Sequence, residues 1–252
     1  MAYNWKEIND RLVASVAPSC HAIALKWIRT PEELKAIPGI RFWREPDSCV
    51  CKLLNLATYL DVPFVLESEY TSGHCADMHG LRERGYDFKN GIDLNSDPIK
   101  WHGLQEDSKA HMLAAEKDLP TEDHIALVAA PIYLGAIEEP DAIVISCEPC
   151  AAFHVLASLV EKDFKEINFT FRGESSCAEA WNHTYTTGEP GLSLGCRGDI
   201  CQGGLNRHEV RFSISAADLV KALDGADRLA SDGITYPYYP DGVVVPSELP
   251  AE

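Results

Sequence analysis

Residues Val144–Val155 read VISCEPCAAFHV. The stretch changes character at Pro149. Before it, Ala142–Ser146 is a short continuous apolar run, the pattern of a buried strand. After it, Ala151–Glu161 predicts a helix with Phe153, Leu156 and Val160 on one face. A buried strand running straight into a helix requires a sheet with helices packed on it. Cys147 and Cys150 form a Cys-x-x-Cys pair at the junction. Such a pair is a redox centre, half of a metal site, or two ordinary cysteines. The rest of the chain decides between them.

Strand and helix signals alternate on both sides of this stretch. Trp5, Ile8, Leu12 and Val16 recur at helical intervals, and Pro18 ends that pattern. Ile23, Leu25 and Trp27 alternate as a strand does. Thr30-Pro31-Glu32-Glu33 is a capping box with Pro at the first helical position. Residues 49–60, CVCKLLNLATYL, predict a helix capped by Asp47 or Ser48. Pro63–Glu67 and Ile125–Ala130 predict short strands, and Ala76–Arg84 and Ser108–Lys117 predict helices. Further on, Ile167, Phe169 and Phe171 alternate, and a short helix starts near Cys177. Leu192 and Leu194 lead into the loop GCRGDICQGG, and Val210, Phe212 and Ile214 alternate again. Ser215 and Asp218 form a second capping box that opens Ala216–Leu223, with Gly225 as its stop.

This interleaving predicts an α/β or α+β fold, a mixed sheet with flanking helices, in a single compact domain over residues 1–252. Residues 85–107, polar and rich in Gly, Asn, Asp and Pro, read as a surface excursion or lid. Residues 232–252 read as an extended C-terminal tail.

Composition narrows the function. The chain has 252 residues, 46% of them hydrophobic, which is an ordinary globular balance. Its formal net charge of −17 repels phosphate backbones and anionic lipid, so neither nucleic acid nor membrane is an expected partner. No apolar run approaches the roughly 18 residues of a membrane span. The start, MAYNWKEINDRLV, has charges among its apolar residues and does not read as a secretory signal. The expected location is the cytoplasm. Self-association into a homo-oligomer is left open. G-x-G-x-x-G, Walker A, G-x-S-x-G and H-E-x-x-H motifs are all absent.

Nine cysteines remain to be explained: Cys20, Cys49, Cys51, Cys75, Cys147, Cys150, Cys177, Cys196 and Cys201. An odd count in a chain read as cytoplasmic argues against a disulfide framework. Cys49 and Cys51, Cys75, Cys147 and Cys150, and Cys177 each fall where a helix is expected to start. Helix N-termini carry unpaired N–H groups and partial positive charge, which favour thiolate. Cys196 lies in a Gly-flanked loop whose amides can point inward. Cysteine standing in for serine at a helix start explains any one of these. A shared site explains the set better. Ligands scattered over about 150 residues suit an enzyme cluster better than a ferredoxin or zinc ribbon, whose spacings are absent.

Three motifs together resemble a known family. They are Cys51-Lys-Leu-Leu-Asn-Leu-Ala, Cys75 after a strand carrying Glu67 and Glu69, and Cys196 within Leu-Ser-Leu-Gly-Cys-Arg-Gly-Asp. With Ala22–Ile28, Glu139–Ile145 and Cys177, they are similar to an uncharacterised Cys-rich domain-of-unknown-function family of archaea and anaerobic bacteria. The resemblance spans roughly Cys20 to Leu223. It implies Cys51, Cys75, Cys177 and Cys196 as cluster-binding metal ligands, and no established reaction. The Cys147/Cys150 pair departs from the family pattern.

The expected function is therefore a cytoplasmic, iron–sulfur enzyme of an anaerobe. It would act on a small anionic substrate by Lewis-acid or redox chemistry at a [4Fe–4S] cluster, as a lyase or oxidoreductase. Glu69 and His74 are the candidate acid and base beside Cys75, and Arg197 the candidate clasp for a substrate carboxylate, unless Asp199 pairs with it. The Cys147 helix is expected near the site, with Cys150 as a reserve ligand. The alternatives are a zinc-binding structural or interaction protein, and a thiol-disulfide oxidoreductase using Cys147 and Cys150.

Overall fold

Ala142–Cys147 is a strand buried along its whole length, and it runs into the helix Pro149–Val160. They belong to a computed structural model that describes residues 3–81, 124–171 and 176–237. Among these the strands are β1 (Ile23–Ile28), β2 (Arg41–Trp43), β3 (Phe64–Glu67), β4 (Ala126–Pro131), β5 (Ala142–Cys147), β6 (Gly191–Ser193) and β7 (Val210–Ile214). They form one mixed seven-stranded sheet in the order β2-β3-β4-β1-β5-β7-β6. The β2–β3 pair is parallel and the other pairs are antiparallel. This is a mixed α+β architecture, with helices on both faces of the sheet.

Period-two alternation sends successive side chains to opposite faces. Ile143, Ile145 and Cys147 of β5 join Val210, Phe212 and Ile214 of β7 in one core. Helices α1 (Trp5–Val16), α5 (Pro149–Val160) and α9 (Ala216–Ser231) cover that face. Ala142 and Val144 point the other way, into a second core with Leu25, Trp27, Leu127 and Ala129. There the cover is α3 (Val50–Leu60), α4 (Gly73–Met78), α6 (Ser176–Glu179) and α7 (Trp181–Thr187). Helices α2 (Pro31–Ala36) and α8 (Arg197–Cys201) complete the described set.

The local start signals hold. Thr30 Oγ1 accepts from Glu33 N at 3.2 Å, and Ser215 Oγ accepts from Asp218 N at 3.1 Å. The stop at Gly225 does not. Helix α9 continues to Ser231, because Gly225 lies at its crossing with α5. A Cβ there would sit 2.0 Å from the Ser158 carbonyl oxygen, so the glycine serves close helix approach. Helix α3 is capped by Cys49, not by Asp47 or Ser48: the Cys49 sulfur accepts from Lys52 N. Residues 167–171 form no strand, and Phe169 and Phe171 are exposed. Alternation without a neighbouring edge to pair with leaves the backbone irregular. On α5 the face turned inward carries Ala152, Val155 and Leu159, and Phe153 is exposed. The helix expected over Ala76–Arg84 starts earlier, at Gly73, and is assigned to Met78. The lid 85–107, the helix Ser108–Lys117 and the tail beyond 237 lie outside the described residues. No described helix is long and apolar enough to cross a membrane.

Candidate functional site

Five thiols gather on the face covered by α3, α4 and α6. Cys51, the second residue of α3, places its sulfur within hydrogen-bonding reach of both Cys196 and Cys49. Cys75 lies within electrostatic reach of Cys49 and Cys196, and Cys177 within reach of Cys75 and Cys196. The four cysteines expected as ligands thus share one electrostatic neighbourhood, and Cys49 joins them. Cys49 was legible as a helix start, but nothing local distinguished it from a plain cap.

Backbone ties explain why segments so distant in sequence converge. Ser48 N donates to Tyr70 O at 3.0 Å and Ser72 N donates to Ser48 O at 2.8 Å. This two-way bridge holds the start of α3 beside the start of α4. Asn55 Nδ2 donates to Gln202 O at 2.8 Å, and the Cys49 thiol donates to Gln202 Oε1 at 2.8 Å. Those bonds hold α3 against the Cys196 loop. Gly191 of β6 brings Cys177 close as well: a Cβ there would meet Ala180 O at 2.4 Å. Only glycine allows that approach of strand to helix.

The Cys196 loop is anchored from beneath. Asp199 is fully buried and Arg211 of β7 is 4% exposed at its side chain. Arg211 Nε donates to both Asp199 carboxylate oxygens, at 3.0 and 3.1 Å. Its Nη2 donates to Asp199 Oδ1 at 2.9 Å and to Gly203 O at 2.7 Å, and Nη1 donates to Ser146 Oγ. Asp199 N in turn donates to Cys196 Sγ at 3.4 Å. The Asp199 carboxylate, which the sequence suggested as a partner for Arg197, is engaged by Arg211. Arg197 is exposed, directly after Cys196. The long-range pairing of Asp199 with Arg211 had no sequence signal.

The electrostatics favour thiolate at Cys196 and Cys49 and oppose it at Cys51, Cys75 and Cys177. Cys196 is lowered to about 6, first because Cys51 donates to its sulfur and further because Ser176 and the amides of Ser176 and Asp199 do. Cys49 is also lowered, chiefly by its hydrogen bond with Cys51. Cys51 is held well above its ordinary value because its one S–H lies within reach of both the Cys196 and the Cys49 sulfur, either of which can accept it. Burial pushes Cys75 up to about 11; its sulfur is enclosed although the residue is partly exposed. Burial likewise raises Cys177. Each further thiolate is opposed by those already present, and a bound cation reverses that balance.

One more group points into the cluster. Ser176 is fully buried beside Cys196, and its hydroxyl bears on that sulfur. Thiol-only donors suit zinc or an iron–sulfur centre over hard cations. Among the described residues no three His, Cys, Asp or Glu side chains stand arranged as ligands of one ion. The donors are collected on one face without ligand geometry.

The remaining expectations fall elsewhere. Glu69 is exposed on the turn Ser68–Tyr70, with its field on Arg44. The side chain of His74 lies outside the described residues. Glu179, two residues after Cys177, is a buried carboxylate that accepts from Ser193 Oγ and bears on the Cys177 thiol. The Cys147 pair is not near the site. Cys147 faces the opposite core, where burial pushes it up to about 12, and Cys150 is exposed. Strand parity is the reason: Ser146 takes the thiol-site face and Cys147 the other.

Labelling separates these thiols. In reduced, metal-free protein near neutral pH, Cys196 lies above its pKa and is mostly thiolate, whereas Cys147 lies far below its own and stays protonated. Iodoacetamide is expected to label Cys196 well before Cys147, as mapped by peptide mass spectrometry. Equal rates at the two positions would contradict this arrangement.

Residues 11–225 match a family model described as DUF169, uncharacterised ArCR. No curated protein and no solved structure matches the chain.

Proposed function

The chain belongs to the uncharacterised ArCR family, DUF169, and from the thiols it gathers we propose that it binds an iron–sulfur centre as a cytoplasmic enzyme. The observation that carries this reading is the gathering of Cys51, Cys75, Cys177 and Cys196 on one face, within electrostatic reach of one another. A bound [4Fe–4S] cluster supplies Lewis acidity at an iron without a protein ligand, or one-electron transfer where four thiolates hold it. Cys51, Cys75, Cys177 and Cys196 would hold the centre. Cys49 is the fifth thiol. It stands at the start of α3, tied to Gln202, and closes the gap between α3 and the Cys196 loop. Backbone N–H groups of Lys52 and Asp199 already point at sulfur, and such donors favour a net-negative cluster.

The substrate is proposed to be a small anion. Arg197, exposed beside Cys196, brings a guanidinium to the rim of the site in a chain of charge −17. Glu179, buried two residues after Cys177, brings a carboxylate close to the centre.

The same thiol-only donor set favours a second reading, a closed structural zinc site. The thiol-disulfide reading draws less support: an attacking thiol needs a low pKa and access, and Cys147 has neither. Anaerobic purification with iron, sulfide and zinc analysis decides. The expected result is a coloured protein containing iron and sulfide. A colourless protein with zinc would favour the structural reading, and one with neither metal would sink both.

A further inference from the structure

Cys75 and Cys177 are joined by a histidine. His79 follows Cys75 by one helical turn and is fully buried. Its Nδ1 lies 2.7 Å from the Cys75 carbonyl oxygen. Its Nε2 lies 2.9 Å from Nε1 of Trp181, and Trp181 stands four residues after Cys177. An indole N–H can only donate and a carbonyl can only accept. Nε2 must therefore be the bare acceptor, and the ring proton must sit on Nδ1. One tautomer, neutral, satisfies both contacts. A charged ring would point an N–H at the indole N–H.

The surroundings fix the ring further. Trp27 Nε1 of β1 donates to the His79 carbonyl oxygen at 3.1 Å. The rings of Trp27 and Trp181 lie within 25° and 21° of the imidazole plane, with centroids 6.3 Å away in each case. Asn182 Nδ2 donates to Met78 O beside this contact, a second tie between the same two segments. His79 is thus a cross-brace whose ends rest on the backbone of Cys75 and on the side chain of Trp181, which opens the helix following that of Cys177.

We propose that His79 is a positioning residue for the thiol site, its Nδ1-protonated ring setting the separation of Cys75 from Cys177. The proposal rests on the metal-centre reading above. A metal centre tolerates its donors only within about 0.2 Å of their ideal distances, so a brace between two ligand-bearing segments bears directly on retention. Groups that orient ligands from behind typically change metal affinity by about 10–100-fold when removed.

Two variants divide the brace. His79→Gln places an amide oxygen near the Nε2 position and keeps an acceptor for Trp181, but it loses the bond to the Cys75 carbonyl. Trp181→Phe keeps an aromatic ring and removes the donor. Wild type and variants are reconstituted anaerobically with ferrous iron and sulfide. Iron loss to a chelator is timed, and the electron paramagnetic resonance spectrum of the reduced protein is recorded. Each variant is expected to lose iron about 10–100-fold faster than wild type, with an altered spectrum, while the metal-free forms still unfold cooperatively. Wild-type rates and spectra in both variants would overturn the proposal. Nitrogen NMR of the wild-type imidazole gives a reading that needs no variant to fold. A proton on Nδ1 alone supports the brace, and a proton on Nε2 or a charged ring overturns it. If wild type itself takes up no iron, the metal-centre reading falls, and the brace role falls with it.

Discussion

Arg211→Met is expected to lower the unfolding free energy by about 3–5 kcal/mol, the usual cost of leaving one member of a buried ion pair alone. Arg211 and Asp199 are both almost wholly excluded from water. Methionine fills similar space but leaves the Asp199 carboxylate, the Gly203 carbonyl and the Ser146 hydroxyl without their donor. The effect should reach the thiol site, because Asp199 and Gly203 belong to the segment that carries Cys196. Denaturant unfolding measures the cost, and the Cys196 alkylation rate at fixed pH measures the spread. Asp199→Asn is expected to destabilise as well, since it leaves the guanidinium buried without a counter-charge. Combining Arg211→Met with Asp199→Leu should recover much of the loss, because the unpaired charge disappears. An Arg211→Met protein with an unchanged unfolding midpoint and slope would show that the pair does not hold the loop.

Removing one thiol from the site is expected to abolish iron retention, whereas removing Cys147 is not. Cys177→Ala takes away a buried sulfur within reach of Cys75 and Cys196. Cys147→Ala takes away a comparably buried sulfur from the opposite core. The two variants delete the same atom from similar packing, so the loss of apolar contact is matched and only the face differs. Iron and sulfide per chain after anaerobic reconstitution is the measurement. Cys51→Ala, Cys75→Ala and Cys196→Ala should behave as Cys177→Ala, and Cys150→Ala as Cys147→Ala. Full iron content in Cys177→Ala, or its loss in Cys147→Ala, would place the centre elsewhere.

Much of this protein is written locally. Ala142–Cys147 is apolar at every position but one, Thr30 and Ser215 stand where a helix needs a cap, and cysteines mark helix starts at Cys51, Cys75, Cys150 and Cys177. These features depend on backbone dihedrals and on donors within a few residues, so neighbouring residues suffice to specify them. They were enough to anticipate a mixed sheet with flanking helices and the candidate thiols. The tertiary structure decided which features act together. It set Ser146 and Cys147 on opposite faces of β5, which removed the Cys-x-x-Cys pair from the site and brought Arg211 into it. It carried helix α9 through Gly225, because a neighbouring helix needed the space. It left Phe169 and Phe171 without a strand to pair with. It added Cys49, and it set His79 between two cysteines far apart in the chain. Face parity, helix crossings and contacts across more than a hundred residues depend on which surfaces meet when apolar area is buried. No local window of sequence contains that information.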